Sequence, residues 1–341
     1  MTAWGPDSEL GGYEQFTIDL SEQPTVALEP EHSLVATLVR RNEPTGNRAV
    51  LYVHGWNDYF FQTHLGDAMA GWGYDFYALD LRRYGRSLRP KQLAGYVSKL
   101  EDYFVELDAA VAVLRDEGHR DIVLMGHSTG GLVLSLYANE RPGQFSALIL
   151  NSPWLELQAN PMLRQTTQTM FSAARAMAPT AAVPMGESDL YRRSISADAD
   201  GEWVYNHNLK GDPAFLVRFG WMAAVLHGQS RVAAGLSIDC PVLVAVSRRT
   251  DFRRTWDEAL LKADTVLDVD RIADRVSRLG NLVVLSRIED GMHDLLLSRP
   301  AVRSEVLDQF RIFLEAYAVP SAPRTAGTVA VRVLNEIAAL P

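Results

Sequence analysis

The chain has one cysteine, Cys240, among its 341 residues, so it cannot form a disulfide within itself and nothing demands an oxidising compartment. No apolar run approaches the length of a membrane-spanning helix, and the first residues lack the basic and apolar regions of a secretory signal. Basic residues are also fewer than acidic ones, 33 against 42. This negative balance of charge argues against nucleic acid as a partner. We therefore expect a cytoplasmic protein without stable membrane insertion.

The composition suits a globular protein with a sizeable core, since 47% of the residues are hydrophobic and 22% are charged. Short apolar runs alternate with helical patterns, which indicates an α/β fold with a mainly parallel sheet. The predicted strands are Tyr13–Leu20, Leu34–Arg40, Ala49–Val53, Phe76–Leu79, Ile122–Met125 and Ala147–Asn151, and the predicted helices are His64–Trp72, Leu100–Arg115 and, near the end, Val302–Ala316.

This alternation stops after Pro153 and resumes with strand patterns at Val242–Val246 and Leu282–Leu285. The residues between, 154–236, have a helical and mixed pattern rich in methionine and aromatic side chains. We predict that they form a mostly helical cap inserted into a core made of residues 1–153 and 237–341. The alternative is that they are additional core helices. For Val329–Leu340 we expect a final helix or strand.

The most informative motif is Gly126-His127-Ser128-Thr129-Gly130, which follows an apolar strand pattern and precedes a helical one. A strand, Gly-x-Ser-x-Gly and a helix form the context of a nucleophile elbow. The serine of such an elbow lies at a sharp turn in strained backbone geometry, and the flanking glycines let the neighbouring chains pass closely. The pattern predicts Ser128 as a nucleophile.

A nucleophilic serine needs a base and a carboxylate that orients the base. His293 is the strongest base among eight histidines, because it follows the last predicted strand and precedes the last predicted helix. We expect His127 and His54 to be structural. Two carboxylates follow the strand that ends at Val246. Asp251 is close to the strand end but has arginine neighbours, and Asp264 lies farther along, so position alone leaves both open.

The sequence resembles the α/β-hydrolases of the monoacylglycerol lipase and lysophospholipase type, which carry a cap. The resemblance covers about residues 30–318 and rests on His54-Gly55, on Asp80-Leu81-Arg82-Arg83-Tyr84-Gly85-Arg86-Ser87, on Gly126–Gly131 and on Gly291-Met292-His293. Arg83 stands where this family usually has glycine. The family's acid motif, Ala-Asp-x-x-x-Asp, matches Ala263–Asp268. The resemblance therefore implies that Asp264 is the acid and that 247–262 is an added loop.

The same resemblance implies an oxyanion hole made by the backbone N–H groups of Trp56 and Thr129. Trp56, Tyr59, Phe60 and Phe61 would then border the acyl pocket, the alternative being that this aromatic cluster is ordinary core packing. Within the cap we expect Met170 and Trp221 to contact substrate. No metal and no organic cofactor is required by this chemistry.

Together, these features predict a serine hydrolase that cleaves apolar carboxylic esters, of the monoglyceride, lysophospholipid or lactone type, through an acyl-enzyme intermediate. Amide or peptide hydrolysis on the same triad is the first alternative. A non-catalytic binding protein with a hydrolase fold is the second. A serine at position 128 argues against dehalogenase and epoxide hydrolase chemistry, which uses an aspartate nucleophile in this fold. The sequence does not indicate the oligomeric state.

Overall fold

The computed structural model describes residues 3–27, 29–41, 43–157, 161–184 and 189–318, without the side chains of 161–168. The prediction for Val329–Leu340 lies outside these residues.

A sheet of nine strands forms the centre of the described fold. Its strand order is β1-β2-β3-β5-β4-β6-β7-β8-β9. The first three strands and the β3–β5 pair are antiparallel, whereas every pair from β5 to β9 is parallel. The strands are β1 (Gly5–Pro6), β2 (Glu14–Asp19), β3 (Val35–Arg40), β4 (Arg48–Val53), β5 (Asp75–Asp80), β6 (Asp121–His127), β7 (Ala147–Asn151), β8 (Val242–Ser247) and β9 (Val283–Ile288).

Helices cover both faces of this sheet, and the central strands are consequently apolar and buried on both sides. The helices are α1 (Thr63–Gly71), α2 (Phe104–Asp116), α3 (Thr129–Glu140), α4 (Pro161–Met177), α5 (Leu190–Ile195), α6 (Phe219–Ala234), α7 (Val269–Val276) and α8 (Pro300–Tyr317). The predicted fold class, an α/β-hydrolase fold with a mainly parallel sheet, is confirmed. In the described part of the chain, no helix is both long enough and apolar enough to cross a membrane.

In chain order, three helices, α4 to α6, follow β7 and precede β8, although these two strands are parallel neighbours in the sheet. Helix α6 packs closely on α3, where a Cβ added at Gly228 would lie 2.8 Å from Leu100 and 3.1 Å from Leu136. The division into a core and a cap at residues 154 and 236 stays a prediction.

Arg83, at the position where the resemblance leads us to expect glycine, adopts a left-handed backbone with φ of 65°. The loop therefore keeps a conformation that favours glycine, although a long side chain occupies it. The guanidinium is buried and donates to Glu29 at 2.8 Å and to the carbonyl oxygen of Tyr96 at 2.9 Å. These contacts give the arginine a structural role.

Candidate active site

Ser128 lies between β6 and α3 with φ of 50° and ψ of −116°, an unfavourable conformation for a residue with a Cβ. The turn is tight because glycines flank it. A Cβ at Gly126 would lie 2.8 Å from the backbone of Gly130, and a Cβ at Gly130 would lie 2.3 Å from the carbonyl oxygen of His54. The local sequence thus permits the strained turn that presents the serine hydroxyl.

The imidazole of His293 lies between Ser128 and Asp264. Its Nε2 atom is 3.1 Å from Ser128 Oγ, and its Nδ1 atom is 2.9 Å from Asp264 Oδ2. All three residues are buried. The remaining carboxylate oxygen of Asp264 accepts hydrogen bonds from the backbone N–H groups of Val266 and Leu267, at 2.8 and 2.7 Å. This oxygen is therefore occupied, and the carboxylate presents its other oxygen to the histidine.

Asp264 reaches this position because the chain leaves the sheet after β8 and returns to it. The backbone of Asp264 forms a parallel β-bridge with that of Thr250. The N–H of Asp264 donates to the backbone carbonyl oxygen of Arg249 at 3.0 Å. The intervening loop contains a short 3₁₀ helix at Glu258–Lys262. Asp251 instead contacts Arg253, with 2.7 Å between the closest charged atoms. The structure thus brings Asp264, and not Asp251, to His293.

A loop after β4, residues 54–58, passes directly beside Ser128. A Cβ at Gly55 would lie 2.9 Å from His127 and 3.1 Å from Ser128, so glycine permits this close approach. His54 donates through Nδ1 to the carbonyl oxygen of Gly55 at 2.7 Å and accepts at Nε2 from the N–H of Leu81 at 3.1 Å. Burial lowers the pKa of His54, which favours the neutral form that these two bonds require.

Ser128 and His293 line a cavity of about 450 Å³. The chain between β7 and β8 contributes much of its wall, and the rest comes from the loop 54–58, from β6 and from the loop after Asp264. The apolar lining residues include Trp56, Val183, Ile195, Phe215, Leu216, Val217 and Val266, and the polar ones include Asn57, Asp58, Tyr191, Tyr205 and Lys210. The cavity therefore offers both apolar and polar surfaces to one substrate.

A second buried polar cluster, which the sequence analysis did not predict, lies beside Ser128 and His293. Asp58 and Asp294 approach Nδ1 of His127 at 3.7 and 4.0 Å, and the His127 ring lies 5.0 Å from the ring of His293. Lys210 forms a buried ion pair with Asp58. Burial opposes the ionisation of Asp58, but the charge of Lys210 and the nearby His127 together outweigh it and hold the pKa of Asp58 below its usual range.

Among the described residues, Asp58, His127 and Asp294 are also close enough together to serve as metal ligands. Asp58 Oδ2 and both ring nitrogens of His127 are buried and form no hydrogen bond with the described residues, whereas the other carboxylate oxygens of the cluster are engaged. Asp294 accepts from the side chains of Asn151 at 2.7 Å and Gln62 at 3.2 Å. The ammonium of Lys210 pairs with Asp58 Oδ1, so a cation of the chain itself contacts one carboxylate of this cluster.

Five residues that were predicted to border the pocket or to contact substrate lie outside the cavity lining. Tyr59, Phe60 and Phe61 are buried, and Trp221 is buried against Trp56, with ring centroids 3.8 Å apart. Met170 is 55% exposed on α4. Trp56, which was predicted together with the first three, does line the cavity.

Residues 45–251 match the family described as Hydrolase_4, serine aminopeptidase S33. The chain belongs to this family. The match includes Ser128 and ends before Asp264 and His293. A monoacylglycerol lipase of Mycolicibacterium smegmatis is 25% identical over 240 residues, which cover 68% of this chain and 77% of the relative.

Two solved structures are similar in fold. One is a soluble variant of the monoglyceride lipase of Saccharomyces cerevisiae in complex with a substrate analogue, at a TM-score of 0.62 and 17% identity, covering 86% of this chain and 98% of that one. The other is the monoacylglycerol lipase of Paleococcus ferrophilus, at a TM-score of 0.60 and 18% identity, covering 83% and 99%. The resemblance stated from the motifs is confirmed. The chain is therefore a hydrolase of this family.

Proposed function

We propose that the protein is a serine hydrolase that cleaves carboxylic esters with apolar acyl groups through an acyl-enzyme intermediate. The observation that carries the proposal is the unbroken line of contacts from Ser128 through His293 to Asp264, at the wall of a cavity. Each of these contacts lies within the distance that a nucleophile, its base and the orienting acid require.

In the proposed reaction, Ser128 Oγ attacks the ester carbonyl while His293 Nε2 removes its proton. Asp264 accepts the Nδ1–H bond, which fixes the tautomer with a free electron pair on Nε2 and stabilises the imidazolium that forms. His293 then gives the proton to the leaving alcohol. Water attacks the acyl-enzyme in the second half, with His293 again acting as base.

We propose that the backbone N–H groups of Trp56 and Thr129 stabilise the tetrahedral oxyanion. Thr129 is the first residue of α3, where N–H groups have no partner in the preceding turn and the helix dipole is positive. Trp56 belongs to the residues 54–58, hereafter the oxyanion loop, which pass against Ser128. Donors that act on charge present only in the tetrahedral state raise kcat.

We further propose that the predicted cap, 154–236, sets substrate preference, because it supplies Val183, Ile195 and Phe215 to the cavity lining. Their apolar surfaces suit an acyl chain, such as that of a monoglyceride, a lysophospholipid, a medium-chain ester or a lactone. Because the relatives include monoacylglycerol lipases, monoglycerides are the favoured substrates among these. The family description, serine aminopeptidase, keeps amide hydrolysis as the second candidate.

A fluorophosphonate probe tests the mechanism directly, since it modifies only an activated serine. The wild-type protein should be labelled at Ser128, and Ser128→Ala should lose both labelling and esterase activity with an unchanged circular dichroism spectrum. Full labelling of Ser128→Ala would overturn the assignment. Rates on p-nitrophenyl esters of rising chain length, beside a monoglyceride, a lysophospholipid, a lactone and an amino-acid amide, then separate the ester and amide hypotheses.

A further inference from the structure

The chain between α5 and α6 contacts the oxyanion loop through specific polar groups. We call residues 206–215 of this connection the strap. At its start, the N–H of Asn206 donates to the hydroxyl of Tyr59 at 2.8 Å, one residue beyond the oxyanion loop. At its end, the ring of Phe215 packs edge-on to the indole of Trp56, with centroids 6.2 Å apart. The strap thus spans the loop that carries the Trp56 N–H.

Asn57 forms the central contact between the two segments. Its amide nitrogen donates to the carbonyl oxygen of Gly211 at 3.1 Å, and its amide oxygen accepts from the N–H of Phe215 at 3.1 Å. The contact is close, because a Cβ at Gly211 would lie 2.2 Å from that amide oxygen. Asn57 has φ of 53°, a left-handed conformation that asparagine adopts more easily than most residues. A single side chain therefore satisfies two backbone groups of the strap.

The ion pair between Asp58 and Lys210 adds a charged contact beside Asn57. Both side chains are buried, at 2% and 7% exposure, and the ammonium lies 5.3 Å from the ring centroid of Phe61 and 5.8 Å from that of Tyr205. The second carboxylate oxygen of Asp58 faces His127, the residue before the nucleophile. Breaking a buried pair by removing one partner leaves an uncompensated charge, so this contact holds its two segments firmly.

Together, these contacts fix the oxyanion loop from both sides. His54 and Gly55 hold it against β5 and the nucleophile elbow, and Asn57 and Asp58 hold it against the strap. Trp56 lies between the two pairs of anchors. Its N–H can therefore keep one orientation only while both sides are in place.

We infer that Asn57 and the Asp58–Lys210 pair are positioning residues, through which the strap holds the Trp56 N–H toward the oxyanion. This inference rests on the proposed function. It makes the segment between β7 and β8 part of the catalytic apparatus as well as the pocket wall. Loss of the strap contacts would then impair the chemical step for every ester, including esters too small to reach the apolar lining residues.

The test uses the full chain with Lys210→Met and Asn57→Gly. Both remove a strap contact, and glycine keeps the left-handed backbone at position 57. Arg299→Met is the matched control, because Arg299 also forms an ion pair between the core and the same connection, with Glu202, at an exposed position away from the oxyanion loop. The readouts are kcat and KM for p-nitrophenyl acetate and the Ki of a small trifluoromethyl ketone, which forms a tetrahedral adduct on the serine.

Loss of one oxyanion donor lowers kcat by about 10²–10³-fold, so partial misplacement should lower it by about tenfold or more. We expect that loss in both strap variants, with KM changed less than twofold and Ki rising in parallel with the fall in kcat/KM. Arg299→Met should keep the wild-type values of all three constants.

A purely structural strap would give a different result. Both variants would then have lower melting temperatures but wild-type kcat and Ki per folded molecule, and the inference would be overturned. If Lys210→Met does not fold, Asp58→Asn/Lys210→Met removes both charges and leaves no unpaired one, and the same two outcomes apply to it and to Asn57→Gly. Fluorophosphonate labelling of the wild type is the separate check on the proposed function, since it does not involve these variants.

Discussion

Replacement of Asp264 by asparagine should disable His293 as a base, and the hydrogen bonds around the carboxylate explain why. One oxygen accepts from the N–H groups of Val266 and Leu267, and the other accepts from His293 Nδ1. An asparagine has only one oxygen, which these two N–H donors require. Its NH₂ group then faces Nδ1, which must accept, and the proton moves to Nε2 beside Ser128. In that tautomer the imidazole cannot remove the serine proton.

The size of the loss follows from the cost of the opposite amide orientation. That orientation turns the NH₂ group toward two backbone donors and leaves both unsatisfied, at about 1–3 kcal/mol each. The total, about 2–6 kcal/mol, corresponds to a loss in kcat/KM of about 30-fold to 10⁴-fold, at about 1.36 kcal/mol per factor of ten. The upper end agrees with the loss of about 10⁴ known for the same substitution in another serine hydrolase triad.

The assay is kcat/KM on p-nitrophenyl butyrate, with thermal melting to show that each variant is folded. Asp251→Asn is the matched control, because Asp251 lies on the same loop and was the other candidate acid. Its side chain is 19% exposed and contacts Arg253, and exposed pairs of this kind contribute little. We expect less than a twofold change for the control. A folded Asp264→Asn enzyme with more than a third of wild-type activity would refute the tautomer argument.

Two further predictions concern the packing around the site. Gly130→Ala should abolish activity and lower the melting temperature, because the added Cβ would lie 2.3 Å from a backbone carbonyl oxygen of the oxyanion loop, whereas Gly71→Ala, with nothing within 4 Å, should leave both unchanged. Burial, assisted by the charge of Arg303, lowers the pKa of His64 to about 4 from 6.5, so between these values the unfolded chain binds more protons than the folded one and stability falls as the pH falls. His64→Phe should therefore lose less stability than the wild type in urea unfolding between pH 7 and pH 4, and equal losses would contradict this account.

The elbow that presents Ser128 could be predicted from the sequence because its signal is local. Strand, elbow and helix are consecutive, and the glycines at 126 and 130 are required by contacts within that same unit or with the adjacent strand end. His293 was accessible for a similar reason, since it follows the last strand of a parallel sheet, where the carboxyl ends of strands gather. Fold class followed from the alternation of apolar strands and helices.

The choice of acid needed more than local pattern. Both Asp251 and Asp264 follow β8, and position along the chain left both open. Motif resemblance favoured Asp264, which contacts His293 because the chain returns to Thr250, a backbone bridge across a loop that a linear sequence does not reveal. Pocket residues were harder still. Tyr59, Phe60 and Trp221 are buried and lie outside the cavity lining.

The sequence by itself determined the elbow, the histidine that contacts Ser128 and the class of fold, because each depends on residues that are neighbours in the chain or on the order of its strands. Only the tertiary structure decided which carboxylate faces His293, which side chains line the cavity, and that Lys210 is paired with Asp58, 152 positions away. Those contacts form between segments distant in sequence, and their partners are ordinary polar residues with no periodic or motif signal. Only tertiary packing brings them together, so no pattern along the chain could predict them.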